Sequence, residues 1–573
     1  MKRKLSLAAL AVPVVAGFVL VPTPSAAAQP ELSGKTVEYS VLARDGVDVR
    51  VVEKAVRDAG GTVTRSNAAA GLLTATAPAN GFTARLGAAP TVLYTSRTVS
   101  IGQSPQGRVA VDQDAVEKEN RDGSGRGGTQ RPAPVGMDPL DGQLWGLTSV
   151  RSDLARTEQP GDRRVKVGIL DTGVDGTHPD LAPNFDMALS RNFTHDIPVD
   201  ENGGVVDGPC EFRGCVDPAN WDDGGHGTHV AGTIAAAANG FGVSGVAPRV
   251  SIVNIRGGQD SGSFFLQPVV DALTYAGDAG LDVVNMSFFV DPWLYNCQAN
   301  AADTPEQQAQ QRTVVTAMTR AMNYAHRKGV TQVVSLGNNH EDNGAPKDDK
   351  TSPNFPVGTA HPRVIDNNSC LVLPIEGPHT IGVGAYGPSG AKADYSSYGL
   401  EQISVSAPGG YFRDYFGTPA FRTNENMVLS TYPRNVGVAD GAIDDATGEV
   451  TPDGVASGVQ KACAGAVCGY YQFLQGTSMA SPHATGVAAL IVSEYGKFSG
   501  RNVTMNPDKV QRVIEGTAFG TPCPTPRTVD YLDEGRDATF TATCAGTTDF
   551  NGFYGNGRVD AWSAITNGSN YLN

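Results

Sequence analysis

Three short stretches of this chain hold residues that together could break an acyl bond. Ser478 stands in Gly476-Thr477-Ser478-Met479-Ala480-Ser481-Pro482-His483, ahead of an apolar helical run through Ala484, Val487, Ala488 and Leu490. A serine hydroxyl is a weak nucleophile at neutral pH, so the role requires an imidazole to take its proton and a carboxylate to orient that imidazole. His226, in Gly225-His226-Gly227-Thr228-His229-Val230-Ala231-Gly232-Thr233, is the candidate base. Asp171, directly after Val165-Lys166-Val167-Gly168-Ile169-Leu170, is the candidate carboxylate. Each has an ordinary reading when taken alone: serines before helices cap them, strand-end aspartates form turns, and most histidines are structural. The constellation is what carries weight.

The elements implied around these residues suit the chemistry. The run ending at Leu170 reads as a buried parallel strand, and the carboxyl ends of such strands are where open α/β sheets build their sites. His226 falls in the first turn of a helix that begins with Val230, Ile234 and Ala235 on its apolar side. A further strand, Val330 to Ser335, runs through Leu336 and Gly337 to Asn338, placing a side-chain amide at another strand end.

The chain order Asp, His, Ser and the contexts DTGVDGTHPDL, GHGTHVAGT and GTSMASPHATGVAAL resemble the subtilisin-like serine peptidases. That resemblance implies that Asp171, His226 and Ser478 form the triad. It also implies that Asn338 and the Ser478 backbone N–H form the oxyanion hole, at a helix N-terminus whose dipole favours negative charge. His226 and His229 stand three apart on one helix, but the carboxylate of a zinc-protease motif is missing.

Strands near 165–170, 251–255, 281–286 and 330–335 alternate with helices from 229, near 267–279 and near 309–327. That alternation predicts an α/β fold in which a subtilisin-like parallel sheet is covered by helices on both faces. The catalytic domain is expected over residues 138–566, opening near Gln143-Leu144-Trp145-Gly146-Leu147 and closing after Tyr554-Gly555-Asn556-Gly557-Arg558. Two long stretches, 187–222 and 411–470, read as enlarged loops. Before it, residues 29–101 show a β-α-β-β-α-β order suited to a small α+β ferredoxin-like module. By resemblance this module is a propeptide that assists folding and blocks the site as an intramolecular inhibitor. Residues 102–137, rich in Gly, Gln, Arg, Pro and Asp, have the composition of a linker with the maturation site inside it.

Lys2, Arg3 and Lys4 precede an apolar stretch from Leu5 to Val21 and the small residues Ser25 to Ala28, so residues 1–28 read as a cleavable signal peptide. No later run approaches the roughly 18 apolar residues of a membrane helix, and the expected product is a secreted, extracellular protein without membrane contact. The eight cysteines all lie beyond Asp171, and an even number in an exported chain suggests disulfides. The short-loop pairs Cys210–Cys215 and Cys463–Cys468 are the first choice, with Cys297–Cys370 and Cys523–Cys544 remaining; free buried thiols are the alternative, since spacing does not fix connectivity.

A net charge of −15 over 573 residues offers no basic face for nucleic acid. The expected partner is a protein or peptide substrate bound to a monomer by strand addition. By resemblance the binding edges are Ser261-Gly262-Ser263 and Ser287-Phe288-Phe289, with Ser335, Leu336 and Gly337 beside them. Phe289 stands where many relatives have glycine, so the primary pocket is expected to be narrowed or rearranged, with Trp293 and Tyr295 near it. No cofactor is needed for catalysis. The resemblance also implies a structural calcium site at Asp141, Asp180, Ala237, Asn239, Phe241 and Val243, whose oxygens suit a hard cation.

The function expected is a self-processing serine endopeptidase. Its alternatives are a dedicated precursor-processing peptidase and a catalytically silent peptide-binding relative.

Overall fold

The computed structural model describes residues 36–98, 116–122, 138–199, 205–345, 348–354 and 359–573. The expected signal peptide, 1–28, lies outside the described residues.

The first unit is β1 (Thr36–Ala43), α1 (Val49–Asp58), β2 (Thr62–Asn67), β3 (Leu72–Pro78), α2 (Phe82–Gly87) and β4 (Val92–Arg97). Its sheet is antiparallel in the order β2-β3-β1-β4, which is the split β-α-β topology of a ferredoxin-like module. Asp48 caps α1 by accepting from Arg50 N–H, and Val49, Val52 and Val56 turn its apolar stripe onto Tyr39, Val41 and Phe82.

The main body is built on seven parallel strands: β5 (Lys166–Leu170), β6 (Arg191–Asn192), β7 (Ser251–Arg256), β8 (Val283–Met286), β9 (Thr331–Ser335), β10 (Thr380–Tyr386) and β11 (Val405–Pro408). Their order is β11-β10-β9-β8-β5-β7-β6. Successive side chains of a strand face opposite sides, so these apolar runs feed two cores. Val167, Ile169, Val283 and Val333 face one, packed under α3 (His226–Ala235) and α6 (Thr477–Tyr495). Leu170, Val284, Met286 and Val334 face the other, under α4 (Leu266–Ala279) and α5 (Pro305–Arg327).

The first unit sits on this second face. Leu42, Ala70 and Leu72 join the α4/α5 core, and Asn67 Nδ2 donates to Asp271 Oδ1 at 2.8 Å and to Thr274 Oγ1 at 2.7 Å. Thr74 Oγ1 meets Gln267 Oε1 at 2.9 Å, and Arg320 Nη1 donates to the Ala43 carbonyl at 3.0 Å.

The stretch 411–470 is not an enlarged loop. It carries β12 (Val428–Tyr432), β13 (Val459–Ala464) and the start of β14 (Val467–Leu474), an antiparallel sheet in the order β12-β14-β13. This sheet buttresses α3: Ser430 and Thr431 donate to the carbonyls of His229 and Thr228, and His229 Nε2 donates to those of Val428 and Gln472. Burial pushes His229 down to about 3, so it is a neutral structural residue and not half of a metal pair. The four disulfides are Cys210–Cys215, Cys297–Cys370, Cys463–Cys468 and Cys523–Cys544, with no free cysteine. Among the described residues no helix is long and apolar enough to cross a membrane.

Candidate active site

The carboxyl ends of β5 and β9 and the N-termini of α3 and α6 converge. Asp171, fully buried after β5, accepts from His226 Nδ1 at 2.7 Å and from Thr172 N–H at 2.8 Å through the same oxygen. That bond keeps a proton on Nδ1 and leaves Nε2 for exchange. His226 is the first residue of α3. The turn before it needs glycine at 225 (φ 81°), and a Cβ at Gly227 would strike the Gly173 carbonyl of the Asp171 loop. The sequence reading missed Asp222. Buried beneath this junction, it accepts from Thr172 Oγ1, from the N–H groups of Gly224, Gly225 and Thr228, and from Thr228 Oγ1. It ties the Asp171 loop to the His226 helix.

Ser478 lies in the first turn of α6. Just before it, Thr477 donates both N–H and Oγ1 to Asn338 Oδ1, each at 2.8 Å, while Thr477 Oγ1 accepts from Gly337 N–H at 3.0 Å. With its oxygen consumed, the Asn338 amide must present Nδ2 to the cleft. Asn285, also missed, accepts from Ser481 and Thr485 and donates to Ser287 Oγ, which donates to the Ser478 carbonyl at 3.2 Å. The start of α6 is thereby fixed to β8.

Ser478 and His226 are not bonded to each other. Ser478 Oγ donates to the Ser287 carbonyl at 3.3 Å, and His226 Nε2 faces Glu117 Oε2 at 3.4 Å. Glu117 belongs to 116–122, a part of the stretch that composition marks as linker; here that part is docked in the cleft, with Glu117 buried. Asn338 Nδ2 donates to Glu117 Oε1 at 3.3 Å, and Gln475 N–H to the Glu117 carbonyl at 3.2 Å. Burial alone would lower the His226 pKa, but the Asp171 and Glu117 carboxylates outweigh it and hold the ring well above its ordinary value. In this state the charged imidazole is favoured, and a charged imidazole cannot take a proton.

Phe288, Phe289, Ser335, Leu336 and Gly337 line one cleft, joined by Leu294, Tyr295, Asn339 and Glu341. Tyr295 donates to Glu341 Oε2 at 2.6 Å. Phe288 is also a core residue, stacked on Phe264 at 4.1 Å. Trp293 does not line this cleft; it is buried against the Arg363 guanidinium, 4.7 Å from the ring centroid. Ser261-Gly262-Ser263 form a surface turn rather than a strand edge, since Gly262 has φ 79° and both Gly262 N–H and the Ser263 carbonyl bond back to Gln259.

The residues expected to hold calcium come together, but hydrogen-bond donors already meet their carboxylates. Asp180 Oδ2 accepts from Val243 N–H at 3.0 Å and Tyr471 Oη at 2.7 Å, and Oδ1 from Asn239 Nδ2 at 3.3 Å. Asp141 accepts from Ser244 N–H and Oγ with Arg156 beside it. Ala237 donates to the Asp180 carbonyl and Phe241 N–H to Asn239 Oδ1. Burial pushes Asp180 up to about 7. As folded, the Asp141 and Asp180 oxygens are engaged by hydrogen-bond donors and are not open to a cation.

Comparison with known proteins follows the same lines. The subtilase family model matches residues 162–557. Subtilisin DY of Bacillus licheniformis is 28% identical over 359 residues, covering 63% of this chain and 88% of that protein. Thermitase of Thermoactinomyces vulgaris is 27% identical over 354 residues, covering 62% and 80%. Fervidolysin of Fervidobacterium pennivorans is 27% identical over 388 residues, 67% of this chain but only 41% of that protein. The crystal structure of the epidermin leader peptide processing serine protease of Staphylococcus aureus covers 93% of this chain and 98% of its own, with a TM-score of 0.56 and 19% identity.

Proposed function

The chain belongs to the subtilase family of serine peptidases, and from that premise we propose that it is a secreted endopeptidase made as a self-processing zymogen. The observation that carries the zymogen reading is Glu117, a residue of the protein's own linker, seated between the His226 base and the Asn338 amide. The module 36–98 on α4 and α5 fits a propeptide that delivers this segment. Its release frees His226 Nε2 and lets the ring fall back toward a neutral base.

Ser478 Oγ then attacks the peptide carbonyl as His226 Nε2 takes its proton, with Asp171 stabilising the imidazolium. The carbonyl oxygen becomes an oxyanion met by Asn338 Nδ2 and the Ser478 N–H, which act most strongly where charge develops. His226 returns the proton to the leaving amine, the acyl-enzyme forms, and water reverses the sequence to release the acid.

A restricted processing peptidase is favoured over a general degrader by the aromatic cleft, which Phe288, Phe289 and Tyr295 line. The test compares hydrolysis of casein and of a peptide spanning residues 102–137. Turnover of the peptide with casein spared supports the restricted reading. Loss of all turnover in Ser478→Ala, by about 10⁴-fold or more, supports the mechanism, and undiminished turnover in that variant refutes it.

A further inference from the structure

The docked segment also marks a binding pocket that the catalytic steps do not use. Two residues beyond Glu117, the Glu119 carboxylate is held on one oxygen by Arg413, with Nε at 2.8 Å and Nη2 at 2.5 Å. Its other oxygen accepts from Gln475 Nε2 at 2.8 Å and from Arg536 Nη2 at 3.0 Å. Gln475 stands three residues before the nucleophile and is fully buried. Its Oε1 accepts from Phe412 N–H at 2.7 Å, which commits Nε2 to point at the anion. The arginine side chains are only 10% and 16% exposed, and Arg536 is stacked on Phe540 at 4.7 Å. These are pre-positioned donors, not flexible surface cations.

The charges are matched only while the linker is in place. Within the body both guanidiniums share Asp394, which pairs with Arg536 Nε and lies 3.9 Å from Arg413 Nε. The nearby Glu534 side chain is bonded to Tyr411 and pushed up to about 7 by burial, so it offsets Arg413 only in part. When Glu119 leaves, two arginines that are largely buried with the segment docked, and the Gln475 amide, lose a shared acceptor. Unpaired buried charge is costly, so the pocket then favours another carboxylate.

We propose that Arg413, Arg536 and Gln475 form a substrate subsite for an acidic side chain, and that Glu119 occupies it in the zymogen. The inference rests on the serine-peptidase reading and adds a substrate class to it: peptides carrying Asp or Glu on the Gln475 side of the cleft. Because Gln475 N–H also bonds the peptide carbonyl of Glu117, the backbone register of the acidic residue is set together with its side chain.

The test varies the ligand first, which leaves the enzyme's folding untouched. Synthetic peptides of residues 116–122, with Glu119 or with Glu119→Gln, are compared as competitive inhibitors of the processed protein. A substrate library then scans Glu against Gln at each position. The pocket predicts that the Gln peptide inhibits about tenfold more weakly or worse, and that one library position prefers Glu over Gln by a similar factor. Arg413→Gln should shrink both ratios to within about threefold. Equal inhibition by both peptides, with Glu and Gln cleaved alike at every position by an enzyme that takes a fluorophosphonate label, overturns the subsite and leaves the peptidase reading standing. An enzyme that cleaves nothing and takes no label overturns both.

Discussion

Two buried polar assemblies flank Ser478, and they are completed in different ways. On the His226 side the contacts that position the ring come from the body: Asp171 orients it, and Asp222 gathers the Thr172 hydroxyl, three N–H groups and the Thr228 hydroxyl. On the Gln475 side Arg413 and Arg536 reach full pairing only through Glu119, which the linker supplies. Reacting groups must stay within a fraction of an ångström of one geometry, so a self-contained network suits them. A surface that exchanges ligands does better with donors fixed and the acceptor removable. The same segment serves both sides, since Glu117 charges and occupies the base while Glu119 fills the pocket.

Breaking the self-contained half should cost most. Asn338→Ala removes the amide proposed to meet the oxyanion and should lower kcat by about 10² to 10³, with KM for a peptide substrate little changed. Asp222→Ala leaves five donors without their acceptor, and a loss of about 3 kcal/mol or more is expected by denaturant unfolding, with falling kcat as His226 loosens.

Breaking the composite half should have a smaller, pH-dependent effect. His226 is raised above its unfolded value of roughly 6.5 partly by Glu117, so docking is strengthened wherever the ring is charged. That contribution is complete below about pH 6.5 and is lost as pH rises through the raised folded value. Inhibition of the processed enzyme by the 116–122 peptide should therefore weaken with rising pH, about tenfold across the transition, and a Glu117→Gln peptide should lack that slope.

Asp180 sharpens the comparison from outside the cleft. Its folded value near 7 lies above an unfolded one near 3.9, so its proton-linked stability is present at low pH and is lost as pH rises through about 7. Thermal melts should show that decline, Asp180→Asn should flatten it, and a calcium chelator should move Tm by less than about 2 °C.

Much of this was legible in the sequence because the signals were local. The runs ending at Leu170 and Ser335, and the helices over Leu266–Ala279 and Pro305–Arg327, have the length and apolar content of buried α/β elements, and their ends fall within a few residues of expectation. Asp171, His226, Asn338 and Ser478 carry distinctive neighbours, and the structure brings all four to one cleft. Asp222 was not legible, because an aspartate just ahead of two glycines reads as a turn, and the bond that ties it to the Asp171 loop comes from Thr172, 50 positions earlier. The β12-β14-β13 sheet was hidden by the glycine-rich, polar character of 433–458, which separates strands that pair only in space. Glu117 and Glu119 were hidden most completely. Charged residues in a polar stretch read as solvated, and the partners that bury them, at 226, 338, 413 and 536, lie more than a hundred positions away in the chain.

The most direct test of the central claim is intact mass of the secreted wild-type protein beside Ser478→Ala, each treated with a fluorophosphonate before and after maturation. The wild type is expected to lose its segment through residue 122 and to gain one label only after that loss, while Ser478→Ala keeps the segment and takes none. Full labelling of the unprocessed wild type would contradict the block at His226, and maturation with labelling of Ser478→Ala would contradict the nucleophile.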